Sequence, residues 1–94
     1  MVVHVRLPAV LRDLGDGRPT VAVDLREGGT IADLLDAVGA VHPALQRRIR
    51  DEQGRLRAHV NLFVGDDDVR TLAGVDTALE PGDEVTVLPA ISGG

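Results

Sequence analysis

The sequence predicts an α+β fold, a single sheet with one main helix across one of its faces. Two observations carry this reading. Short apolar runs with a period of two occur at both ends of the chain. Between them lies a single apolar stripe with the period of a helix. At 94 residues the chain has room for one small domain and no second core. Hydrophobic residues make up 44% of it, enough for a core. That core must be aliphatic, because Phe63 is the only aromatic residue.

Val3, Val5 and Leu7 alternate with His4 and Arg6, a half-buried strand that Pro8 ends. Ala9 to Leu14 suits a short helical turn, and Asp13 to Pro19 reads as a polar loop. Val21, Val23 and Leu25 alternate again, giving a second strand expected to pair antiparallel with the first. Gly28 and Gly29 break the chain, and Thr30 is a good N-cap with Asp33 three residues on. Ile31, Leu34, Leu35 and Val38 then fall at i, i+3, i+4 and i+7, one apolar stripe. Gly39 is the expected C-cap.

Pro43 can open a second short helix, with Leu45 and Ile49 inward and Arg47, Arg48 and Arg50 outward. Gln53-Gly54 reads as a turn. Val60, Leu62 and Val64 mark a third strand, and Gly65 with Asp66 to Asp68 a turn leading to Val69. Leu72, Val75 and Leu79 lie in an irregular segment with room for one helical turn. Pro81-Gly82 is a strong turn signal. Val85 and Val87 make the last strand, which runs into Pro89, Ala90, Ile91, Ser92, Gly93 and Gly94. The β-grasp fold satisfies this order, with a mixed sheet of four to five strands, although periodicity alone does not choose it over other small α+β arrangements. The expected organisation is one domain over 1–94, with 89–94 as an extended flexible tail.

Composition excludes several functions. The net charge is −5, which argues against nucleic acid or an anionic membrane as partner and suits a basic protein surface. There is no cysteine, so no disulfide, thiolate nucleophile or thiolate metal site exists. No apolar run approaches 18 residues and no signal peptide is visible, so a cytoplasmic, monomeric protein is the expectation. All ten basic residues are arginine, so no lysine of this chain can receive an acyl group. Asp66-Asp67-Asp68 lacks EF-hand spacing, and His4, His42 and His59 lack metal-ligand spacing, so no metal is expected. Gly28-Gly29 lacks the lysine and spacing of a phosphate loop. No Ser-His-Asp set or pair of catalytic carboxylates is apparent.

The terminus is the most suggestive feature. Glycine has no Cβ, so Gly93-Gly94 with a free carboxylate is a slim acyl group that can enter a narrow channel. By composition alone such an ending arises about once in 200 chains. A truncated loop would look the same. The strand before it adds a docking prediction. If Val85 and Val87 face the core, Leu88 faces away from the helix, and Phe63 shares that open face. An aromatic and a leucine there suggest a partner-binding patch.

These residues resemble the ubiquitin-like sulfur carriers, the family of the molybdopterin synthase small subunit and the thiamin sulfur carrier. The pieces run nearly end to end: "LPAVLR", "GGTIADLLDAV", "HVNLFVGDDDVR" and "LEPGDEVTVLPAISGG". "VNLFVGDDDVR" and the Pro-Ala-aliphatic-small-Gly-Gly ending are most similar to the actinobacterial carriers of cysteine biosynthesis. The resemblance implies a co-substrate rather than an enzyme. An E1-like enzyme would consume ATP to adenylate Gly94, and a sulfur donor would convert it to a thiocarboxylate. No cofactor would be bound. The acceptor would be a cysteine synthase-like enzyme first, with a thiazole synthase-like enzyme or the molybdopterin synthase large subunit as others. Gly93 would supply slimness, and Leu88, Phe63, Pro89 and Ile91 would meet partners. A modifier forming isopeptide conjugates, or a binding module with an incidental terminus, are the alternatives.

Overall fold

Alternation at the N-terminus builds the first hairpin. In the computed structural model, which describes residues 1–89, β1 (Val2–Arg6) and β2 (Thr20–Asp24) pair antiparallel, Val3 opposite Val23 and Val5 opposite Val21. The connection contains a 3₁₀ segment, Ala9–Gly15, where a short helical turn was expected. Val3, Val5 and Val23 are buried, whereas Val21 is only half-buried because β2 lies at the sheet edge.

The main helix, α1 (Ile31–Val41), begins where the sequence predicts, and its cap is complete. The Asp33 N–H donates to Thr30 Oγ1 at 3.3 Å, and the Thr30 N–H donates to Asp33 Oδ2 at 2.9 Å. Two of the N–H groups orphaned at the helix start are thereby satisfied. The stripe Ile31, Leu34, Leu35 and Val38 is at most 2% exposed. Each such side chain contributes about 1.5–3 kcal/mol relative to exposure.

The Thr30 N–H, and after it the Arg26 guanidinium at 3.1 Å, hold the Asp33 carboxyl below its ordinary value of 3.8. A carboxyl lowered by folding contributes stability above its unfolded value, which is lost as pH falls through the lower folded value. Asp33→Asn is therefore expected to flatten the acid limb of a stability–pH curve measured by urea unfolding. Thr30→Ala is expected to cost about 1 kcal/mol in the same measurement.

Two sequence expectations about the helices are corrected. Gly39 is not the C-cap: α1 continues to Val41, and His42 caps it. A Cβ at Gly39 would stand 3.1 Å from Gln46 Cγ, so glycine serves the close approach of α2 (Pro43–Ile49). Arg50 does not point outward with Arg47 and Arg48. It lies past the end of α2 with an extended backbone, so helical periodicity no longer places it. Its side chain is buried and donates from Nη2 to Asp36 Oδ1 on α1 at 2.6 Å.

β3 (Val60–Val64) and β5 (Glu84–Pro89) pair antiparallel, with Leu62 opposite Val87. The predicted turn after β3 is tighter than expected. Only Gly65 and Asp66 form the loop, and β4 (Asp67–Asp68) pairs back onto β3. Gly65 has a φ of 59°, which favours glycine. The irregular segment holds two 3₁₀ turns, Val69–Thr71 and Gly74–Asp76, rather than one.

β5 then joins β1 in parallel, giving the mixed order β2-β1-β5-β3-β4. The helices cover one face, and the aliphatic core fills the space between them and the sheet. This is the β-grasp arrangement. No helix among the described residues is long and apolar enough to cross a membrane.

Candidate functional site

The last strand occupies the middle of the sheet, between β1 and β3, so the chain leaves from the best-supported position in the fold. Alternation along β5 buries Val85 and Val87 completely. Thr86 and Leu88 consequently project from the opposite, helix-free face. Leu88 is 43% exposed, a large apolar side chain left in water.

The register brings the other predicted residue to the same face. Phe63 stands opposite Thr86, and Asn61 opposite Leu88. Directly opposed residues of an antiparallel pair share a face. Phe63, Thr86 and Leu88 accordingly line one shallow groove of about 270 Å³, closed at one end by Gly65 and Asp66. Phe63 is half-buried there.

Pro89 is not yet tail: it ends β5, opposite Val60. The ladder stops there for a local reason. Pro89 has no N–H to give. The Val60 N–H donates to the Arg57 carbonyl at 3.1 Å, and the Val60 carbonyl accepts from Arg70 Nη2 at 2.8 Å. Arg70 also donates to Asn61 Oδ1 at 2.8 Å and to the Arg57 carbonyl at 3.0 Å. It thus braces the segment of β3 against which Leu88 and Pro89 pair. Ile91, Gly93 and Gly94 lie outside the described residues.

On the other side of β5 a wider groove of about 680 Å³ runs past Leu88, Thr86 and Glu84 to Arg6, Arg12, Pro8 and Thr20. It exists because β1 pairs with β5 only as far as Arg6 opposite Thr86. Sequence reasoning missed Arg6, Arg12 and Arg70 as neighbours of the exit. Arg12 sits on a 3₁₀ segment and Arg70 on a 3₁₀ turn, and neither has a periodicity that would place it. Arg6 showed only as an outward position of β1.

A sheet face with an exposed leucine beside a central strand can bind a protein while the following residues reach elsewhere. The model of the ThiS family matches residues 5–94. The chain belongs to the ThiS family of ubiquitin-like sulfur carriers. Sulfur carrier protein CysO of Mycobacterium tuberculosis is 35% identical over the full length of both chains. CysO in the crystal structure of the Amycolatopsis orientalis BexX/CysO complex superposes with a TM-score of 0.86 at 33% identity, covering 98% of this chain and 99% of that one. Small archaeal modifier protein 1 of Haloferax volcanii is 36% identical over 83% of this chain and 85% of its own. Members of this family are carriers rather than catalysts.

Proposed function

We propose that this ThiS-family chain carries sulfur as a thiocarboxylate on Gly94. An E1-like enzyme uses ATP to form the Gly94 acyl-adenylate and releases pyrophosphate. A carboxylate is a poor electrophile, and this mixed anhydride makes its carbonyl open to attack. A sulfur donor then displaces AMP, and the thiocarboxylate delivers its sulfur to a biosynthetic enzyme. A cysteine synthase-like enzyme is the first choice, from the full-length likeness to CysO.

The observation that carries the reading is the join between strand and terminus. A fully supported central strand ends at Leu88 and Pro89, and five residues ending in Gly-Gly follow. Five extended residues reach roughly 17 Å. Leu88 and Phe63 hold the partner while the glycines enter its channel. That the relative CysO was crystallised with BexX supports a protein partner of this kind. Without cysteine, the chain can carry sulfur only at its C-terminus.

The test is the intact mass of the protein isolated from its native host. A species heavier by one sulfur in place of one oxygen is the expected result. An unmodified mass with ladders of conjugates on other proteins would instead support attachment to lysines. The likeness to small archaeal modifier protein 1 favours that second reading.

A further inference from the structure

The net charge of −5 favours a basic partner, but the fold does not spread that charge evenly. Along β5 the open face carries both signs. Glu84 lines the β1-side groove together with Arg6, and Asp66 lines the β3-side groove together with Phe63. Where the chain leaves the sheet, three arginines surround Leu88. Arg6 and Arg12 line the groove on its β1 side. Arg70 lies on its β3 side, bonded to Asn61, the residue opposite Leu88.

All three are exposed. Arg6 has only a long, exposed contact with Glu84 at 3.4 Å, a geometry worth little in water. Arg12 donates Nε to the Leu7 carbonyl at 3.2 Å, and Arg70 spends its donors on carbonyl and amide oxygens. Among the described residues neither pairs with a carboxylate. Three arginines against Glu84 and Asp66 leave the exit a net positive charge on an acidic molecule.

We infer that Arg6, Arg12 and Arg70 form a cationic collar around the exit that docks on a partner protein whose channel mouth is lined by carboxylates beside an apolar pocket for Leu88. This rests on the docking reading proposed above and adds the sign of the partner's surface. Complementary charge acts mainly on association rate, and its effect falls with salt.

The experiment measures association of the full chain with purified BexX by stopped flow across a salt series. Arg6→Glu/Arg12→Glu is the main variant, since Arg70 also braces β3. Association is expected to slow by about tenfold or more at low salt and to lose most of its salt dependence. Arg6→Lys/Arg12→Lys, which keeps the charge, should associate at nearly the rate of the unaltered chain. If the glutamate pair does not fold by circular dichroism, Arg6→Gln/Arg12→Gln serves, with a smaller slowing.

Unchanged or faster association of the charge-reversed variant would overturn the collar. Leu88→Asp separates this from the underlying reading. Weak binding of Leu88→Asp with an unaffected arginine pair rejects the collar and leaves the docking face standing. No binding by the unaltered chain, or no effect of any variant, rejects both.

Discussion

Deleting Gly94 is expected to abolish sulfur loading and leave the folded domain unchanged. The shortened chain still ends in a glycine carboxylate, so its chemistry is the same and only its reach differs. One extended residue is about 3.3–3.6 Å. A misplacement of about 1 Å at a reacting centre can cost about 100-fold in rate, so loss of at least that size is expected. Among the described residues every buried core residue lies at or before Val87, so the melting temperature should not move. The two measurements are thiocarboxylate formation by intact mass and thermal unfolding by circular dichroism. Normal loading of the shortened chain would show that Gly94 is not the reacting residue.

Leu34→Ala is expected to have the largest effect on stability. Leu34 is completely buried at the middle of the α1 stripe. Its truncation leaves a cavity that a close-packed aliphatic core cannot fill, at a cost of about 2–5 kcal/mol. Domains have only about 5–15 kcal/mol in total, so a large share is lost. The urea midpoint should fall with little change in slope. A shift below about 1 kcal/mol would mean that the core repacks around the gap. This core has no large aromatic side chain to swing into such a space, which argues against that outcome.

Much of this was legible in the sequence because its signals are local. The α1 stripe, the Thr30–Asp33 cap and the alternation in β1, β3 and β5 each rest on residues within one or two turns or pleats of one another. The positions of Leu88 and Phe63 on a common face followed from the period of a strand. Arg50 was not legible. Its place depends on where α2 stops and on Asp36, fourteen residues earlier. Gly39 misled for a similar reason, since a glycine that admits Gln46 looks the same in sequence as one that ends a helix.

By itself the sequence determined the two helices, the four longer strands and that the core is aliphatic. Those properties depend on neighbours along the chain. Only the tertiary structure decided that β5 lies at the centre of the sheet. It also decided that Pro89 still belongs to that strand, and that Arg6, Arg12 and Arg70 meet around Leu88. Arg6 and Arg70 are 64 positions apart, and only pairing of β1 and β3 with the same central strand brings them to one exit. Charge summed over a chain carries no position, and the fold supplied one by bringing three arginines to the exit.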